Sequence, residues 1–348
     1  MLVTGRLVHS NFKALLLIIL LFSSFENYSQ VYPDTSVHRM LKAGINLIID
    51  QKYDKAEKLF NHLDKSRKDL PLGKIYLAAV SIAKSYDYGE PYNDELINGY
   101  LDDTKVISEK LLEKDSRNIW NNYFLALTEG YLAYYKALQQ SWLKAFSTGL
   151  SSVSTFEQCL DLDNNFYEAL IAIGSYKFWK SRKTEFLSWL PFFEDEKDLG
   201  INYLQRAVKY SGYNSHLAIH SLIWIYIEQK DFEAAIKVAE SALKEHPESR
   251  IFKWGLARAY EDIDPVRSIE LYNEILNSYP AKLKSNKINE ITLKHIIAQQ
   301  YVKINKIDKA LSICEDILSI KDLTPYELDK VGERIDRVRS LKEELKTK

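Results

Sequence analysis

The stretch His216–Ser249, HLAIHSLIWIYIEQKDFEAAIKVAESALKEHPES, constrains the fold more than any other part of the chain. Leu222, Ile223 and Tyr226 recur at helical spacing, and so do Phe232, Ala235, Ala239 and Ala242. The polar triplet Gln229-Lys230-Asp231 separates the two patterns, and Pro247 closes them. The sequence thus predicts two short antiparallel helices. Small side chains at Ala235 and Ala242 let two helix axes approach closely, while Tyr226 and Phe232 fill the wedge between them. A single pair of this kind cannot bury its own apolar face, so stacked neighbours are required.

Similar units occupy most of the chain. Val37–Pro71 has Gly44, Ala56 and Phe60 at the small, small and aromatic positions, and Tyr53 opens its second helix. Gly44 inside a helix costs about 1 kcal/mol against Ala, so a close crossing is expected there. Leu72–Asn118 is less regular, with the turn cluster Tyr86–Pro91 in its middle. Ile119–Asn165 reads as two long helices, the first carrying Trp120, Tyr123, Phe124, Leu127, Tyr131, Tyr134 and Leu138; only Gln139-Gln140-Ser141 hints at the break. Phe166–Gly212 begins with Ala169, Ile173 and Gly174 and resumes at about Leu199 with Gly200, Leu204 and Ala207. Between these lies Ser181–Asp198, long and apolar for a helix-to-helix connection. Arg250–Pro280 and Ile291–Asp322 are further units. Thr324-Pro325-Tyr326-Glu327 combines a capping box with proline at the first helical position, opening an amphipathic end cap over 324–345. Scarce Gly (12) and Pro (8) argue against a turn-rich β protein. The expectation is an all-α solenoid, a right-handed superhelix of antiparallel helix pairs with a C-terminal capping helix.

This pattern resembles the tetratricopeptide-repeat (TPR) superfamily, most specifically at His216–Pro247 and Val37–Phe60 and more weakly elsewhere in Val37–Asp322. A second resemblance covers about Ile119–Ala207. There ALTEGYLAYYKALQQSWLKAFSTGLSSVSTFEQCLDLD and FLSWLPFFEDEKDLGINYLQRA are similar to the eukaryotic TPR-containing inclusion-body-clearance family, which has a long helix pair followed by an apolar insertion. That family offers no catalytic residues to carry over. The superfamily resemblance implies a concave groove lined by fixed positions of each first helix. Here those positions hold Phe178 and Trp179, then His220, Trp224 and Glu228, then Trp254, Arg258 and Glu261, then His295, Gln299 and Lys303. Aromatic and Arg side chains suit a peptide groove, giving large contact area and charge-assisted hydrogen bonds. Packing against the next first helix is the alternative for each aromatic. The Lys/Asn pattern that clamps chaperone C-terminal carboxylates does not fit these positions.

The N-terminus reads as a secretory signal over residues 1–29, leaving 30–348 as one repeat domain. Arg6 and Lys13 precede the nine-residue apolar run Ala14–Phe22, too short to span a bilayer, and Ser29 is the expected last residue removed. No Cys follows the run, so a lipid anchor has no support. The alternative is an uncleaved anchor. Formal net charge is −1, and loss of 1–29 makes it (47−2)−(48−1) = −2, so there is no bulk electrostatic case for nucleic acid or an anionic membrane. No membrane-spanning segment is expected after cleavage. Cys159 and Cys314 fall at apolar positions of second helices and read as core residues rather than a disulfide.

No phosphate-binding loop, Gly-x-Ser-x-Gly elbow, His-Glu-x-x-His or paired Cys-x-x-Cys occurs. His216 and His220 share a helix face but lack a third ligand nearby, so neither a metal nor a cofactor is expected. The apolar insertion carries Phe186, Leu187, Trp189, Leu190, Phe192 and Phe193. A patch of this size must be covered or used. The expected cover is a plug folded back against Phe178 and Trp179; a docked partner or a membrane surface are the alternatives, the last opposed by the flanking Glu185 and Glu194-Asp195-Glu196. Together these features predict an exported, non-enzymatic scaffold that binds protein or peptide. The rival readings are a surface glycan-binding helical protein and an enzyme with a His/Glu site in the groove.

Overall fold

The computed structural model describes residues 30–188, 194–280 and 287–347, with the Leu187 side chain left aside. Among the described residues there are 15 α-helices and no strand. They run in pairs: α1 (Thr35–Ile49) with α2 (Tyr53–Ser66), α3 (Leu72–Tyr88) with α4 (Asp94–Lys114), α5 (Ile119–Leu138) with α6 (Trp142–Leu162), and α7 (Ala169–Lys183) with α8 (Lys197–Tyr210). There follow α9 (Ser215–Glu228) with α10 (Phe232–Glu245), α11 (Arg250–Tyr260) with α12 (Pro265–Ser278), α13 (Lys287–Lys303) with α14 (Ile307–Ser319), and the single α15 (Pro325–Lys346). Each helix packs on the next, and the first helices of successive units also touch, as in α7–α9, α9–α11 and α13–α15. This is an all-α solenoid of stacked antiparallel helix pairs.

The small residues stand where helices cross. A methyl group on Gly44 would lie 2.3 Å from the Phe60 ring. Gly174 and Gly200 face each other so closely that a Cβ on either would meet the other's carbonyl oxygen, at 2.8 and 2.6 Å. Ala235 and Ala239 are fully buried, as are Phe60 and Tyr272. Cys159 and Cys314 are buried free thiols, and burial pushes the Cys159 pKa up to about 12. At α15 the Thr324 side chain accepts from the Glu327 amide while Glu327 reaches back to Thr324, a complete capping box.

One turn recurs. Gln51, Gln140, Lys230 and Asn305 all have φ of 54–60°, two residues beyond the end of a first helix. In each case the following amide bonds back to the helix: Lys52 to Leu47, Ser141 to Lys136, Asp231 to Tyr226, Lys306 to Tyr301. This is a Schellman closure, usually made with glycine. The Gln139–Ser141 break is therefore the repeat's standard turn.

Units distant in the sequence also touch. The starts of α11, α13 and α15, and the connections into α9 and α11, rest on α1–α3 and the turns beside them. His246 Nδ1 meets Asp50 at 2.8 Å, and Arg250 Nε donates to Asp87 at 2.8 Å. Asn289 Nδ2 donates to the Asp87 carbonyl at 2.8 Å, and the Tyr326 hydroxyl to the Glu90 carbonyl at 3.1 Å. Deeper in, Asn214 Nδ2 reaches the hydroxyls of Tyr123 (2.8 Å) and Tyr76 (3.3 Å) and the carboxylate of Glu168 (3.0 Å). Glu168 also accepts from the amides of Tyr213 and Asn214. Burial raises its pKa, and these donors oppose the rise. Polar side chains thus zip the first units onto one edge of the later ones, with apolar residues from both sides in one continuous core.

Candidate functional site

The positions expected to line a groove lie on the first helices α7, α9, α11 and α13. Short cross-links fix the register of α7 on α9: Ser175 to Ser221 at 3.1 Å, and Arg182 Nε to Glu228 at 2.9 Å. Between these two ties lie Trp179 and Trp224, with His220 one residue before Ser221. The Trp224 indole N–H donates to His220 Nε2 at 3.0 Å. An acceptor nitrogen must be unprotonated, and the crowding of protein atoms around this ring pushes its pKa down to about 4, although its outer edge reaches solvent. The result is a neutral aromatic pair, half-buried at Trp224 and exposed at His220. Trp179 is half-buried beside it and packs on its own core.

Further along the face, Arg258 meets Glu261 at 3.0 Å, and Glu261 accepts from the Tyr272 hydroxyl at 2.6 Å. Lys303 donates to the Glu261 carbonyl at 2.8 Å and meets Asp262 at 2.6 Å. That contact from Lys303 holds the Asp262 carboxyl below its ordinary pKa. Trp254 is half-buried and edge-on to Tyr272, with ring centroids 5.4 Å apart. Gln299 is exposed.

Two residues expected on the groove are not open to it. Phe178 is fully buried, edge-on to Trp179 at 5.2 Å, because the Gly174–Gly200 crossing draws its side of α7 into the contact with α8. His295 is 2% exposed and faces α15, where its Nδ1 lies 3.2 Å from Arg334 Nη1. Burial, then Arg334 and Arg337, push its pKa down to about 4. Arg182 was not expected on the face. It lies one turn past Phe178 and Trp179, so carrying the helical count one step further finds it.

For a reaction, the arrangement offers little. His220 is bonded to an indole rather than a carboxylate, and Glu228 is paired with Arg182. Among the described residues no three His, Cys, Asp or Glu side chains gather as metal ligands, and no helix is long and apolar enough to cross a membrane.

The insertion lies at the far end of α7. A 3-10 turn spans Glu185–Leu187 and Phe186 is 74% exposed. Trp189, Leu190, Phe192 and Phe193 lie outside the described residues, and with them the expected plug. The returning end is pinned: Glu196 takes ion pairs from Lys177 and Lys180, and its amide donates to the buried Ser181 hydroxyl at 2.9 Å. Lys177 holds the Glu196 carboxyl below its ordinary pKa.

Residues 220–249, which include the His220–Trp224 pair, match the family model of the tetratricopeptide repeat. The chain thus carries one matched tetratricopeptide repeat, over residues 220–249, within its solenoid. Solved structures similar to it include the C-terminal part of a TPR repeat-containing protein from Cytophaga hutchinsonii, at 16% identity over 84% of this chain and 99% of that one, with a TM-score of 0.39. Yeast Tom70 is similar at 14% identity over 93% of this chain and 66% of that one, TM-score 0.42. Human IFIT1, solved as a dimer with m7Gppp-AAAA, is similar at 12% identity over 90% and 82%, TM-score 0.43. No curated protein matches the chain.

Proposed function

We propose that this chain is a non-enzymatic scaffold that is exported and binds a protein or peptide on the α7–α9–α11 face. The observation that carries the reading is the Trp224–His220 pair, a half-exposed indole fixed by its own hydrogen bond and flanked by the Arg182–Glu228 ion pair. An oriented aromatic beside a guanidinium is the side-chain chemistry that dominates protein interfaces. Fixing the indole before binding lowers the entropy cost of ordering it on contact. TPR repeats generally mediate protein–protein interaction, which supports the same use here. Export is supported by Arg6, Lys13 and the apolar run Ala14–Phe22.

The test is quantitative capture from cell-envelope extract by the parent and by Trp179→Ala/Trp224→Ala, with bound proteins identified by mass spectrometry. Both side chains are partly exposed, so helical content is expected to be unchanged. A specific partner is expected to drop about tenfold or more, the equivalent of a 1.4 kcal/mol hot-spot loss. Equal recovery on both baits places the binding surface elsewhere.

A further inference from the structure

A second surface stands apart from this face. Helix α6 has 21 residues and α7 has 15, and the two are joined at the 163–168 end. At 1.5 Å per residue, α6 therefore runs about 9 Å past the end of α7. Deeper in α6, Val153 and Phe156 are buried. Toward the start of α6 the apolar side chains are exposed among the described residues. Trp142 is 66% exposed, Leu143 88%, Phe146 65% and Leu150 37%. At 3.6 residues per turn these four side chains fall within an arc of about 100°. Lys144 and Ser147, outside that arc, are exposed as well, so the first turns of α6 form a protruding finger rather than a cleft. Tyr134, on the partner helix α5, is 47% exposed.

Charge defines what such a finger suits. Between Glu129 and Glu157 the chain holds no acidic residue, and its only charged side chains are Lys136 and Lys144. Lys136 reaches across the hairpin to the Thr148 hydroxyl at 3.2 Å, and Lys144 is exposed. Of the acidic groups near the end of α7, Glu185 pairs with Arg182 and Lys197, Asp195 with Lys197, and Glu196 with Lys177 and Lys180, while Glu194 is exposed. We infer that the free end of the α5–α6 hairpin docks on the surface of an anionic lipid bilayer, with Trp142, Leu143, Phe146 and Leu150 entering the headgroup–acyl boundary and Lys144 held among the headgroups. A convex apolar tip with an indole and a flanking cation enters a deformable interface without a shaped partner. Trp is also the side chain enriched at that depth. A second copy of the same tip would set lysine against lysine. This inference does not depend on the α7–α9–α11 face.

The test is flotation of the full chain with phosphatidylcholine vesicles, with and without phosphatidylglycerol. Residues 1–29 are common to all variants, so differences between variants report the tip. The parent is expected to float with the anionic vesicles, and added salt is expected to weaken this. Trp142→Ser/Phe146→Ser is expected to reduce the partition at least tenfold without lowering the melting temperature. Lys144→Glu is expected to cut it about fivefold or more on anionic vesicles only. The inference is overturned if the parent ignores anionic vesicles or the variants float like the parent. It is likewise overturned if the double variant melts well below the parent, which would place the chain's own 189–193 segment on the face. A concentration-dependent dimer abolished by the double variant would assign the face to a second copy instead.

Discussion

Replacing Arg250 with Met removes one half of a buried ion pair that joins α3 to α11. Arg250 and Asp87 have side-chain exposures of 7% and 9%, so neither charge is solvated from outside. The guanidinium also lies over the Tyr279 ring, 4.6 Å from its centroid, and donates to Ser278. In Arg250→Met the Asp87 carboxylate would keep the Tyr53 hydroxyl at 3.1 Å as its side-chain donor and lose its counter-charge. Removing one partner from a buried pair costs about 3–5 kcal/mol, most of it the penalty on the charge left behind. Met refills much of the arginine stem volume, so cavity formation adds little. Neutralising both sides with Asp87→Asn/Arg250→Met removes the stranded charge, and its cost is expected to fall to about 1–2 kcal/mol. Equilibrium unfolding in urea, followed by circular dichroism and by tryptophan fluorescence, reads both quantities. The parent should unfold with the two probes coincident, because the pair ties an early unit to a late one. A loss below 1 kcal/mol in Arg250→Met, or a double variant that costs as much as the single one, would refute the view that this edge is closed and dry.

Two further outcomes are expected. Gly174→Ala puts a methyl group 2.8 Å from the Gly200 carbonyl oxygen and should cost about 1–3 kcal/mol, whereas Gly99→Ala, which meets nothing within 4 Å, should gain about 0.5–1 kcal/mol; thermal melts of the two check this. His295 has a folded pKa near 4 against about 6.5 unfolded, so its contribution is complete above about pH 6.5 and is lost as pH falls toward 4; protonation would set a second cation against Arg334. At pH 5 that loss is about 2 kcal/mol, and melting curves at pH 7.5 and 5 should show a smaller drop for His295→Gln than for the parent. Glu168, with its raised pKa, acts in the opposite sense as pH rises, so the comparison with His295→Gln isolates the histidine.

The helices and their crossings were legible because they depend on neighbours in sequence. Gly44 against Phe60 and Thr324 with Glu327 are local patterns with direct physical causes. The Gln140 turn was less visible, since a Schellman closure normally announces itself with glycine and here uses Gln, Lys or Asn. The closed edge was not legible at all. Asn214 joins Tyr76, Tyr123 and Glu168, and Arg250 joins Asp87, across separations of 46 to 163 residues. Nothing in a repeat pattern marks a polar residue as belonging to a distant unit. On the candidate face, His220, Trp224 and Glu228 were readable from helical position. Phe178 and His295 sit at equivalent positions, but their neighbours, α8 and α15, bury them.

The first units fold back onto the edge of the later ones. A cysteine pair at Asp50 and His246, with Cys159 and Cys314 replaced by Ala, tests it directly. The two native side chains meet at 2.8 Å, whereas an open stack would separate their units by roughly 30–40 Å at 8–10 Å per packed layer. Treated with a short bismaleimide, the Asp50→Cys/His246→Cys chain is expected to form an intramolecular cross-link in the monomer, mapped by peptide mass spectrometry. Full labelling of each single cysteine with no cross-link in the pair would contradict the closed array.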